Sequence, residues 1–142
     1  MIKVAVCGLG RTGSEVIRAI RDSDRFSLTA AFCRPGSEKA GKDVGTLLQS
    51  VPIGILAHDI TQSEQVFNDT EIDVVIDFSN PASAKPLLRA CKKRRIPIVF
   101  CTTGYTEADL IWMSDFVAHN NLGVVYAPNV TLGVNVLLAA LK

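Results

Sequence analysis

Nowhere in these 142 residues does an apolar run approach the ~20 residues needed to span a bilayer. Net charge is only +1, so no overall field draws the chain to nucleic acid or to an acidic membrane surface. The four cysteines, Cys7, Cys33, Cys91 and Cys101, include no Cys-x-x-Cys pair. That spacing argues against zinc and against a disulfide framework, and free thiols in a reducing cytoplasm account for it. No metal site is expected. The N-terminus lacks the charged start, long apolar stretch and small-residue cleavage site of a signal peptide. Internal repeats and low-complexity tracts are missing too. What remains fits one domain, residues 1–142, able to bury roughly two-thirds of its unfolded surface.

Short apolar runs alternate with helix-like stretches along the whole chain. Residues 2–7, 27–33, 73–78, 96–101 and 122–128 read as strands, with a weaker one at 54–58. Between them, 11–23 places Val16, Ile17 and Ile20 on one helical face, and 81–95 places Ala84, Leu87, Leu88 and Cys91 at i, i+3, i+4, i+7. Pro86 fits the first turn of that second helix, with Ser83 as its cap. A short helix is expected within 41–50. Another is expected at 61–69, opened by Thr61 or Ser63. Residues 106–120 begin with a capping-box pattern, Thr106-x-x-Asp109. A last helix is expected over 131–142. Strands separated by helices imply right-handed crossovers and a doubly wound α/β sheet of Rossmann type, all parallel, with helices on both faces. The expected strand order is 3-2-1-4-5-6. Consecutive apolar residues such as Val74-Val75-Ile76 suit a sheet covered on both sides.

Directly after the first strand stands Gly8-x-Gly10-x-x-Gly13. A glycine turn alone is compatible with a bare strand–helix connection. Here a strand precedes it, a helix begins within it and a βαβ unit of about 30 residues contains it, which favours a nucleotide. Gly8 permits the tight turn, Gly10 lets a pyrophosphate approach the backbone, and Gly13 lets the helix pack on the strand. The helix N-terminus offers N–H groups and a positive dipole end to phosphates. About 20 residues on, an NAD-preferring fold carries an acid. This chain has Phe32-Cys33-Arg34. Arg34, with Ser37 or Lys39 as further donors, suits a 2′-phosphate, so NADPH is favoured over NADH.

Four separated motifs, GLGRTG (8–13), CRPGS (33–37), DVVIDFSNP (73–81) with CTTGY (101–105), and APNVTLGVN (127–135), resemble the N-terminal domain of the dihydrodipicolinate reductases of lysine and diaminopimelate biosynthesis. The resemblance runs over the whole chain. It implies that Gly8, Gly10, Arg11, Thr12 and Gly13 hold a pyrophosphate and that Arg34 sits at the adenosine ribose or its phosphate. It implies that Phe78 and Ser79 lie along the cofactor. Thr102, Gly104, Ala127, Pro128 and Asn129 border the nicotinamide, and Thr103 reaches a substrate carboxylate. The implied activity is NAD(P)H-dependent reduction of an unsaturated cyclic dicarboxylate by a cytoplasmic homo-oligomer.

Three departures from that pattern stand out. The glycine turn is one residue shorter than the family's commonest form. Cys33 stands where many members carry glutamate. Cys101 stands where glycine usually precedes Thr-Thr-Gly, adding a side chain near the nicotinamide. The family's substrate domain, with its His-His and Lys-Asp-Ala-Pro-Ser-Gly-Thr motifs, has no counterpart here. No catalytic residue is therefore expected in this chain, with His58 and His119 read as structural. The rival readings are a stand-alone dinucleotide sensor without turnover and a related diamino acid dehydrogenase. The basic run 92–95 has no interleaved aromatic and reads as a solvated helix end rather than a nucleic-acid contact. Trp112 and Phe116, at i, i+4, read as core packing. From 130 to 141 only Thr131 and Asn135 are clearly polar, so a closing helix there needs cover on all sides.

Overall fold

The computed structural model describes residues 1–131 and 139–140. Six strands form one sheet: β1 (Ile2–Cys7), β2 (Phe26–Cys33), β3 (Ala57–Asp59), β4 (Val74–Asp77), β5 (Ile98–Phe100) and β6 (Val124–Tyr126). Their order is β3-β2-β1-β4-β5-β6 and every strand pairing is parallel. Within residues 1–131 the α-helices are α1 (Arg11–Arg21), α2 (Val44–Leu47), α3 (Ser63–Asp69), α4 (Ala84–Lys92) and α5 (Glu107–Asn120).

Alternation along the central strand creates two cores. Val4 and Val6 join Ile17 and Ile20 of α1 with Val44 and Leu48 on one face. Ala5 and Cys7 join Phe32, Phe67 of α3, Leu87 and Leu88 of α4 and Met113 of α5 on the other. Trp112 and Phe116 stack at 5.0 Å and pack against this second core, as their spacing suggests. The first face is less evenly covered by the described residues. Along the in-register row Val6, Ile76, Val99 and Val125, exposure rises from 0% at Val6 to 56% at Val125.

Several local expectations need correction. Neither Thr61 nor Ser63 opens the 61–69 helix. A 3₁₀ turn, Ile60–Gln62, precedes α3, and Asp59 caps it through Thr61 N–H while Gln62 answers in a capping box. Asp59 wins because the same carboxylate also accepts from Gly36 N–H at 2.9 Å, a tertiary bond that no local pattern announces. Ser83 does not cap α4. A 3₁₀ turn, Pro81–Ser83, comes first, and Asn80 caps it through Ala82 N–H. The weak strand lies at Ala57–Asp59 rather than 54–58, because Gly54, at φ +77°, turns the chain just before it. The capping box of Thr106 and Asp109 on α5 is present. In the basic run, Arg94 donates to the carbonyls of Phe67 and Thr70, tying the end of α3 to the end of α4. The helix expected over 131–142 falls almost wholly outside the described residues.

Candidate nucleotide site

Parallel strands put all their carboxyl ends on one edge, and the register aligns them. Cys7 pairs with Phe32 and Asp77, Asp77 with Phe100, and Phe100 with Tyr126. The glycine turn, Arg34, residues 78–80, residues 102–104 and Ala127 therefore emerge side by side, at the edge where open α/β sheets take ligands.

The three glycines do different things. Gly8 has φ +99°, and a Cβ there would lie 2.5 Å from the Phe78 carbonyl oxygen. A Cβ on Gly13 would lie 1.8 Å from the Gly8 carbonyl oxygen, so the first turn of α1 is pressed onto the glycine turn. A Cβ on Gly10 would meet nothing within 4 Å. The space over Gly10 opens into a cleft of about 300 Å³ lined by Gly8, Gly10, Arg34, Lys39, Phe78 and Ser79 among others. A second, wider hollow of about 750 Å³ continues past Arg11 and Thr12 along α1.

Gly10 is also the N-cap of α1. It offers no side chain, and the first turn contains no acid. Each of α2 to α5 begins at a side-chain cap or continues from a capped 3₁₀ turn: Asp43 for α2, Asp59 before α3, Asn80 before α4, Thr106 for α5. Among α1 to α5 only α1 has neither a side-chain cap nor a capped turn before it, and cations line the hollows at its start. Arg11 and Arg34 are exposed at the rim. Lys39 donates to the Leu9 carbonyl, which holds its ammonium at the turn. In the sequence Lys39 is no more than an auxiliary donor, because nothing local tells that a loop lysine folds back thirty positions.

Beside the glycine turn lies a buried carboxylate. Asp77, at the end of β4, is 0% exposed. Its Oδ2 accepts from Thr102 Oγ1 at 2.7 Å, and its Oδ1 accepts from Ser79 N–H at 3.2 Å and from the Ser79 hydroxyl. Thr102 Oγ1 in turn accepts from Ser79 N–H at 3.0 Å. Burial raises the Asp77 carboxyl above its ordinary value, opposed by the hydrogen bonds from Ser79 and Thr102. Burial, with the nearby Asp77 charge, also holds the Cys7 thiol well above its usual range. The Tyr105 hydroxyl is buried without a hydrogen-bond partner among the described residues. The Thr102 side chain thus points inward, whereas Thr103, Gly104, Pro128 and Asn129 are exposed and Ala127 half-buried.

Both departures at cysteine are visible. Cys33 is buried and its thiol points to the His58 carbonyl at 3.3 Å, while Cys101 is half-buried beside the site. All four thiols are free. Neither histidine lines the nucleotide cleft. His58 lies against Phe32, and His119 bonds the Asp115 carbonyl within its own helix. Among the described residues no helix is long and apolar enough to cross a membrane, and no cluster of metal-ligating side chains occurs.

Comparison with known proteins agrees with this architecture. The family model described as dihydrodipicolinate reductase, N-terminus, matches residues 2–130. The 4-hydroxy-tetrahydrodipicolinate reductase of Methanothermobacter thermautotrophicus is 31% identical over 143 residues, covering 100% of this chain and 52% of that protein. The enzyme of the same name from Hahella chejuensis is 35% identical, covering 97% of this chain and 50% of its own. Among solved structures, the dipicolinate-bound dihydrodipicolinate reductase of Paenisporosarcina sp. TG-14 superposes with a TM-score of 0.64 at 21% identity, over 91% of this chain and 48% of that one. The chain spans about half the length of the curated relatives it matches.

Proposed function

Since the chain belongs to the dihydrodipicolinate reductase family, within its N-terminal part, we propose that it seats a nicotinamide dinucleotide and presents it to a cyclic dicarboxylate. The observation that carries this reading is the uncapped N-terminus of α1. Its N–H groups and the open space over Gly10 stand where two adjoining hollows meet, one lined by Arg34 and Lys39 and the other by Arg11 and Lys39, which suits a pyrophosphate. Arg34 follows β2 where an acid would select the free ribose hydroxyl, and this supports NADPH over NADH. Thr12 and Gly13 complete the phosphate side, and Phe78 and Ser79 the opposite wall. Gly104, Ala127, Pro128 and Asn129 lie toward the nicotinamide, with the inward-facing Thr102 holding that loop. Thr103, exposed on the same edge, offers its hydroxyl to a substrate carboxylate.

When bound, NAD(P)H supplies the hydride, and the residues of this chain bind and orient it. None of them supplies the accompanying proton in this reading. A threonine hydroxyl is a poor general acid at neutral pH, and His58 and His119 lie away from the cleft. In this reading the proton donor and the rest of the substrate's contacts come from outside these 142 residues, which span about half the length of the relatives. The free thiols suit a reducing cytoplasm, and the exposed Val125 and Tyr126 suit a contact in a homo-oligomer.

Calorimetric titration of the 142-residue chain with NADPH and NADH tests the proposal. Both bind, NADPH at least as tightly, and Arg34→Ala weakens NADPH about tenfold while sparing NADH, since it removes one charge-assisted contact. The same chain shows no turnover of dihydrodipicolinate in a coupled assay. Failure to bind either nucleotide overturns the reading. Equal weakening of both removes Arg34 from the 2′-phosphate.

A further inference from the structure

Asp77 is a fully buried carboxylate without a cation. Among the described residues the ion pairs are Lys3–Glu71, Arg18–Glu15 and Arg21–Asp22, all on the surface. Desolvating a lone carboxylate is expensive, and an apolar side chain of similar volume commonly serves stability as well or better. Packing therefore does not explain the residue, whereas its hydrogen bonds suggest a use. An ionised carboxylate only accepts, so every group touching it must donate. The Ser79 hydroxyl has one proton, directed at Oδ1, with the Asn80 carbonyl a distant alternative at 3.5 Å. The Thr102 hydroxyl has one proton, directed at Oδ2, and its oxygen already accepts from Ser79 N–H.

Ser79 also lines the cleft. With its proton turned inward, its oxygen presents only lone pairs to whatever lies there. Strand order sets this wall apart from the cations. Arg34 follows β2 on one side of the glycine turn, and Ser79 follows β4 on the other. One side of the cleft thus carries cations for phosphate oxygens, and on the other the Ser79 hydroxyl accepts from hydroxyl or amide donors.

We propose that Asp77 is a positioning residue that fixes the Ser79 hydroxyl as an acceptor for the donor groups of the nicotinamide half of the cofactor, its ribose hydroxyls or carboxamide. The proposal rests on the dinucleotide reading above and goes beyond it. Asp77 touches no ligand. It acts through Ser79, and through Thr102 it ties the loop after β5 to the loop after β4.

The test compares two probes by calorimetry: NADPH, and adenosine 2′,5′-bisphosphate, which keeps the adenosine half and lacks the nicotinamide half. Asp77→Ala removes both acceptors and frees the Ser79 proton to turn toward the cleft, whereas Asp77→Asn can keep its amide oxygen on Ser79, which donates both its N–H and its hydroxyl there, and turn its NH2 to Thr102. Asp77→Ala and Ser79→Ala are each expected to weaken NADPH about tenfold and to leave the bisphosphate within about twofold of wild type, the scale of one hydrogen bond. The double variant loses no more than Ser79→Ala alone, and Ser79→Thr, which keeps the hydroxyl, restores NADPH binding. Weakening of both probes alike by Asp77→Ala, or of neither, overturns the proposal. If Asp77→Ala does not fold, Asp77→Val, which fills more of the buried volume without an acceptor, decides by the same two readouts. Wild type that binds neither probe overturns the nucleotide reading itself, an outcome distinct from the failure of Asp77.

Discussion

Gly8, Gly10 and Gly13 sit within six positions, yet they answer to different constraints. A methyl group on Gly8 or Gly13 runs into backbone, at 2.5 Å and 1.8 Å, and backbone cannot swing aside as a side chain can. Gly8→Ala and Gly13→Ala are expected to destabilise the chain by about 1–3 kcal/mol or more, read as a lowered denaturation midpoint. Gly10→Ala has open space and φ −83°, so its stability is expected to stay within about 0.5 kcal/mol of wild type while NADPH binding falls in a titration. The turn at Gly8 and the close packing at Gly13 were legible in the sequence because each follows from the absence of a side chain at a fixed place in a strand–turn–helix unit. Asp77 was not legible as a determinant. Its partner Thr102 is 25 positions away, and only the pairing of β4 with β5 brings them together.

Caps show the limits of local reading at the next scale. Around α3 and α4 several Asp, Asn, Ser and Thr residues compete for one role within a few positions, and before α3 a tertiary bond from Gly36 favours Asp59. Asp59 is held below the ordinary carboxylate range chiefly by the Thr61 N–H, then by the Thr61 hydroxyl and the Gly36 N–H. At Asp43, desolvation pulls upward but is outweighed by N–H groups of Ile53, Thr46 and Gly54, and the group is lowered too. Asp109 is lowered by the Thr106 hydroxyl and N–H. A depressed folded-state value means stability that is present above the unfolded carboxylate value and is lost as pH falls through the folded one. These three caps therefore weaken below about pH 4. Asp77, raised by burial, carries the opposite sign and favours the fold as it protonates. Asp59→Ala is expected to lower stability by about 1 kcal/mol at pH 7, and the gap to wild type is expected to narrow in urea melts toward pH 3.

At the scale of the molecule, alternating strands and helices were enough to anticipate the sheet order and the edge that carries the site, since right-handed crossovers leave few alternatives. The shape of the cleft was not anticipated in full, because Lys39 and Asn80 reach it through loop geometry that has no periodicity to read. The same topology bears on how the chain folds. β1 and β4 are neighbours in the sheet but seventy positions apart in sequence, and the Gly8 turn meets Phe78 only after they pair. Closing so long a loop comes before its contacts can reward it, which places that pairing among the late and slow events. A nucleotide then has nothing to hold until folding is nearly done. In stopped-flow experiments NADPH is expected to leave the refolding rate unchanged and to slow unfolding, by about a hundredfold at a hundred times its dissociation constant. The cofactor thereby sets how long the native state lasts and not how quickly it is reached.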